Sequence, residues 1–215
     1  MVNYAVGKFN SKLVLAVVLI ALTGGIGSGK TYVCKIFEKF NIPVIYTDQI
    51  VKQLLINDQL LIKELNNYFK LDFNKNLKRL KLEIFKQSKD RLFVEKLIHP
   101  KVIEQILLKT KSLNQKCVLV EIPMVHNLLA ILKSLNINKI ILTNCDLNLQ
   151  ISRLMHRDKL SKKNIMLIIK SQLPVEKVNK IADYILNTDD CNSSSDSLYY
   201  EINNIVNNGF FKNIW

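Results

Sequence analysis

The chain has 215 residues, 48% hydrophobic and 23% charged, the balance of a soluble globular protein with one good core. Its formal net charge is +13, from 31 basic and 18 acidic residues, but no aromatic-interleaved basic tract appears; compositional bias toward Asn, Ile and Lys ranks first as the cause, small anionic partners second and nucleic acid third. Four scattered cysteines, Cys34, Cys117, Cys145 and Cys191, form no C-x-x-C pair, so neither a zinc site nor a disulfide framework is indicated and a reducing compartment, the cytoplasm, is the natural setting.

Residues 1–13 are expected to be a disordered extension. Lys8 and Lys12 ahead of the apolar run Leu13–Leu22 imitate a signal peptide. That run is about half the ~20 residues of a membrane span, and cleavage after it would destroy the motif that follows. It reads as a buried parallel-sheet strand over 17–22, so no membrane association is expected.

Gly24-Gly25-Ile26-Gly27-Ser28-Gly29-Lys30-Thr31 fits G-x-x-x-x-G-K-[ST], the P-loop, between that strand and an apolar-periodic helix over 31–40. Residues Gly25 to Tyr32 are therefore the expected nucleotide-binding set. Backbone N–H groups at a helix N-terminus cradle phosphate oxygens. Lys30 reaches the β- and γ-phosphates, and the Thr31 hydroxyl ligates Mg²⁺.

A break at Asn41-Ile42-Pro43 leads to a short strand, Val44-Ile45-Tyr46, ending at Thr47-Asp48, then a helix over 49–57. Residues 58–113 read as mostly helical, with core stripes at Leu61, Leu65 and Phe69, at Leu80, Ile84 and Phe85, and at Leu92 and Phe93. His99-Pro100 is read as the start of a helix, with Pro at N1. Cys117–Ile122 and Lys139–Leu142 are further strands. Asp146 caps a helix to His156, and Ser161 caps another through Gln172. Ala182–Leu186 is a last strand, 192–197 a polar loop and 198–207 a closing helix.

Strands alternating with helices imply an α/β fold of three layers, a parallel sheet with helices on both faces. Gly24, Asp48 and Pro123 follow strand ends, where ligands bind in such sheets. Asp48 can take a proton from an acceptor hydroxyl, or cap the 49–57 helix. Arg153 and Arg157 are four apart on one helix face and can both reach an anion, although Asp158 can pair with Arg157. Glu121 can hold Mg²⁺ through water, or simply end a strand.

These residues resemble the dephospho-CoA kinase family over nearly the whole length. Ala21–Tyr32 (ALTGGIGSGKTY) is similar to the family's A-L-T-G-G-I-G-S-G-K-S-T, and Val44–Lys52 (VIYTDQIVK) to V-I-D-A-D-x-x-A-R. Leu97–Pro100 resembles L-x-H-P, Glu121–Asn127 resembles D-x-P-L-L-x-E, and Gln150–Asp158 resembles Q-x-x-R-x-M-x-R-D. Lys170-Ser171-Gln172 and Ala182–Asn187 resemble the later A-x-Q and A-D-x-x-I-x-N. The resemblance implies a P-loop kinase that phosphorylates the 3′-hydroxyl of dephospho-CoA with ATP and Mg²⁺. It implies Asp48 as base, Arg153 and Arg157 as lid arginines beside Lys30, and Lys52 and His99 on the acceptor. Tyr46, Tyr32, Lys52 and Asn127 depart from the pattern, and Leu77 stands where an arginine is usual, with Lys78 or Arg79 as stand-ins. The N–H of Tyr32 is still expected to face the α-phosphate.

The expected organisation is one P-loop kinase domain over 14–212, with a core of 14–57, 114–150 and 177–212, a helical substrate lobe over 58–113 and a lid over 151–176. A monomer is expected. The alternatives are another small-molecule P-loop kinase, of nucleoside, nucleotide or shikimate type, and a nucleic-acid-binding P-loop protein. A GTPase is disfavoured because Thr143-Asn144-Cys145-Asp146 lacks the lysine of N-K-x-D.

Overall fold

The computed structural model describes residues 17–72, 87–189 and 196–208. The expected extension, the stripe Leu80, Ile84 and Phe85, the positions Leu77, Lys78 and Arg79, and most of the polar loop lie outside them.

Five parallel strands form the sheet: β1 (Val18–Gly24), β2 (Val44–Tyr46), β3 (Cys117–Glu121), β4 (Lys139–Asn144) and β5 (Tyr184–Asn187), in the order β2-β3-β1-β4-β5. β1 is central, pairing Leu22 with Glu121 of β3 and Gly24 with Thr143 of β4. That second pairing carries β1 two residues past its expected end. Leu19 to Leu22 are buried, as their continuous apolar sequence requires in a sheet covered on both faces.

The helices are α1 (Lys30–Lys39), α2 (Thr47–Asn57), α3 (Gln59–Phe69), α4 (Ser88–Leu113), α5 (Leu128–Ser134), α6 (Leu147–Asp158), α7 (Lys162–Lys170), α8 (Val175–Asn179) and α9 (Asp196–Asn208). One apolar layer gathers Val33, Ile36 and Phe37 of α1 with Ile202 and Ile205 of α9 beneath the sheet. The other sets Ile50, Leu61, Leu65, Val94, Ile98 and Ile106 against Val118 and Val120. A third, small cluster joins Ile151, Leu154 and Ile165 of α6 and α7 to Ile26 of the P-loop. Cys34, Cys117 and Cys145 are buried free thiols, and burial pushes Cys117 up to about 12, so it packs as an apolar group. Among the described residues no helix is long and apolar enough to cross a membrane.

The expected helix start at His99-Pro100 is corrected: α4 runs unbroken from Ser88 to Leu113 with Pro100 inside it. Proline there removes one N–H, but the buried stripe Val94, Ile98, Val102 and Ile106 holds the helix on both sides. Leu92, expected in a core stripe, is 58% exposed; two residues from Val94, it points almost to the opposite side of the helix. The short helices α5 and α8 were not expected.

Candidate active site

The phosphate loop is built where β1 ends and α1 begins. Gly27 and Gly29 have φ of 78° and 82°, left-handed values that favour glycine. A Cβ on Gly27 would lie 3.1 Å from the Leu154 side chain, so the loop and α6 are in close approach. Two loop groups are committed to the scaffold. The Ile26 N–H donates to Oε1 of Gln172 (2.9 Å), and the Ser28 N–H to the Gly25 carbonyl (3.2 Å). Buried Ser28 Oγ also shares a hydrogen bond with Thr143 Oγ1 (2.7 Å). The N–H groups of Gly27, Gly29, Lys30 and Thr31 have no acceptor among the described residues. They are a ready anion cradle at a helix N-terminus whose first turn carries no acidic residue.

Tyr32 is corrected in one respect. Its N–H, expected to face the α-phosphate, donates to the Gly29 carbonyl (3.0 Å) and closes the first turn of α1. Its ring packs on the α1–α9 layer.

Lys30 Nζ donates to the carbonyls of Gly24 (2.8 Å) and Gly25 (3.1 Å). Burial lowers its pKa, and the carboxylates of Glu121 and Asp48 oppose that shift. Glu121, at the end of β3, is 7% exposed; burial raises its pKa, Lys30 lowers it and Asp48 raises it. The lysine and both carboxylates thus share one electrostatic neighbourhood. The Thr47 hydroxyl donates to the Glu121 carbonyl (2.9 Å), pinning the start of α2 to the end of β3.

Helix α2 begins at Thr47, and Tyr46 is its N-cap. Asp48 is therefore inside the first turn and does not cap. It is exposed, with no hydrogen bond or ion pair among the described residues. Lys52 follows one turn later, also exposed and on the same face.

The two arginines diverge. Arg153 donates to the Thr188 carbonyl (2.6 Å) and to the Gly27 carbonyl (3.4 Å), so it ties α6 to the phosphate loop and to the segment after β5. Arg157 is more exposed and makes a two-pronged pair with Asp158, both bonds 2.8 Å. It still lies near enough to Lys30 to disfavour the lysine's charge.

His99, mid-way along α4, bonds through Nδ1 to Nδ2 of Asn127 on the loop after β3. Burial lowers its pKa, against the pull of Glu95.

Several contributors carried little sequence signal. The Thr188 hydroxyl donates to the Ser28 carbonyl (2.9 Å), and Gln172 anchors Ile26. Only Gln172 lay in a motif. Among the described residues no three His, Cys, Asp or Glu side chains form a metal cluster. The donors beside Lys30 are oxygens, the Thr31 hydroxyl and the Glu121 and Asp48 carboxylates. That set suits a hard cation held partly by nucleotide phosphates and water.

A phosphate loop after the central strand of a 2-3-1-4-5 parallel sheet, with an exposed carboxylate just past the edge strand β2, is the arrangement of a P-loop kinase. Residues 18–194 match the family model described as dephospho-CoA kinase. The chain belongs to that family. It is 37% identical over 176 residues to the dephospho-CoA kinase of Coxiella burnetii, covering 79% of this chain and 87% of that one. It is 31% identical over 182 residues to the Helicobacter pylori strain 26695 enzyme of the same name, covering 82% and 89%. In fold it is similar to a Thermus thermophilus crystal structure (TM-score 0.73, 22% identity, 88% and 96% covered). It is also similar to the Campylobacter jejuni dephospho-CoA kinase (TM-score 0.56, 24% identity, 87% and 95% covered).

Proposed function

We propose that this chain transfers the γ-phosphoryl group of ATP to the 3′-hydroxyl of the ribose of dephospho-CoA, giving CoA and ADP. Beyond family membership, one observation carries the reading. Asp48 is an exposed carboxylate without a partner among the described residues, beside the P-loop lysine whose charge it favours.

The free amides of Gly27, Gly29, Lys30 and Thr31 grip the phosphates, and Lys30 exchanges its glycine carbonyls for β- and γ-phosphate oxygens. Asp48 accepts the proton of the 3′-hydroxyl as its oxygen bonds to phosphorus and the bond to the ADP oxygen breaks. Arg157 swings from Asp158 to the transferring group, while Arg153 braces the loop from behind. Lys52 and His99 take oxygens of the acceptor. Mg²⁺, held by Thr31 and through water by Glu121, would neutralise charge on the nucleotide phosphates. Helices α3 and α4 serve as the substrate lobe, and the α6–α7 pair as the lid, of a single kinase domain.

The test is coupled detection of ADP with purified protein, ATP and Mg²⁺. Dephospho-CoA should support turnover, and an analogue lacking the 3′-hydroxyl should give none. Turnover of shikimate or a nucleoside monophosphate, with none of dephospho-CoA, would overturn the reading.

A further inference from the structure

Asn127 occupies the N-cap position of α5, where an amide ordinarily accepts a hydrogen bond from the first turn. Here it makes no cap bond. Its Nδ2 is turned instead to Nδ1 of His99, 28 residues earlier in the chain, and its Oδ1 is buried without a partner among the described residues. A forfeited cap and an orphaned carbonyl are both unfavourable, so the fold sets this amide against the imidazole at some cost.

With Nδ2 facing the ring, donor–acceptor arithmetic then points to the state of the imidazole. An N–H of Asn127 directed at Nδ1 needs a lone pair there, which puts the single ring proton on Nε2. An amide also brings no negative charge to stabilise an imidazolium. Glu95, one helical turn earlier, is the carboxylate that acts on His99, and it is shared with Arg91 at 3.7 Å. Nε2 has no partner among the described residues.

We propose that Asn127 is a positioning residue for acceptor binding: it holds His99 uncharged, with its proton on Nε2, as a hydrogen-bond donor to an oxygen of the acceptor. The proposal rests on the kinase reading above and deepens it. An uncharged donor selects a directed oxygen lone pair without drawing in every anion, ATP included.

The experiment is long-range ¹H–¹⁵N correlation of the histidine rings without substrates, with the His99 signals assigned by loss in His99→Gln, alongside steady-state kinetics. At neutral pH His99 should show the Nε2–H tautomer and titrate below 6.5, the ordinary histidine value. Asn127→Asp should raise that titration by about one unit and move the acid limb of kcat/KM for dephospho-CoA upward by the same amount. Asn127→Ala should raise KM for dephospho-CoA by up to about tenfold, with KM for ATP unchanged. A Nδ1–H tautomer, a charged ring at neutral pH, or an Asn127→Ala protein with unaltered acceptor KM would overturn it. No turnover of dephospho-CoA by the unsubstituted protein would instead overturn the kinase reading, and the ring measurement would still decide the tautomer.

Discussion

Asp48 and Tyr46 are two residues apart and lead opposite lives. The Tyr46 ring packs on the α1–α9 layer and its hydroxyl donates to Glu38 of α1 (3.1 Å), so the bulk of this side chain is spent on that layer. Asp48, past the strand end, is exposed with nothing to satisfy among the described residues. If it is the base, Asp48→Asn keeps size and polarity but cannot hold the proton. Turnover should fall about 100-fold or more. The ATP dissociation constant, measured by fluorescence titration, should stay near that of the unsubstituted protein because the phosphate cradle is untouched. A near-normal rate would leave Asp48 without a chemical role. The sequence made Lys30 and Asp48 legible because both sit at fixed offsets from strand ends. The bracing role of Arg153 was not legible, because its partners, the Gly27 and Thr188 carbonyls, are main-chain groups that no residue type announces.

At the scale of elements, a single carboxylate both caps α3 and ties it to α4. Asp58 caps α3, its Oδ1 accepting from the Leu61 N–H (2.9 Å), and its Oδ2 accepts from Lys101 of α4 (2.7 Å). The lysine bond, then the cap, hold the Asp58 pKa below its ordinary 3.8. A depressed carboxyl contributes stability that is present above pH 3.8 and is lost as pH falls through the folded value. Asp58→Ala should therefore lower the unfolding free energy at neutral pH by about 1–2 kcal/mol in urea titrations. Asp58→Asn should lose only the ion pair, under about 1 kcal/mol. Both variants should lose less stability on acidification than the unsubstituted chain, and an identical acid response in all three would refute the assignment. Helical content around Asp58 was legible from the periodicity of Leu61 and Leu65, both buried. The continuity of α4 was not, because proline's preference for a first turn is a tendency that tertiary packing overrides. Nor was α5, whose N-cap residue spends its side chain on His99 instead of on the helix.

Across the whole molecule, three regions converge on the few residues that leave α7. The Ser171 carbonyl accepts from Arg91 of α4 (3.3 Å), Gln172 Oε1 accepts from the Ile26 N–H of the phosphate loop, and the Leu173 N–H donates to Met124 after β3 (3.4 Å). Helix α4, the phosphate loop and the loop carrying Asn127 are thus fastened to one short strip at the base of the α6–α7 pair. Any hinge motion of that pair pulls on all three. Gln172→Ala leaves a half-buried N–H unpaired on the loop and should raise the ATP dissociation constant by about 2- to 10-fold. Arg91→Ala frees α4 from the strip and should raise the acceptor KM while ATP binding holds. If the strip transmits acceptor binding to the loop, the two changes will not add. A double-mutant cycle on kcat/KM for dephospho-CoA should then give a coupling above about 0.5 kcal/mol. Additive effects would mean that the three bonds only fasten neighbouring segments, and that ATP and acceptor are gripped independently.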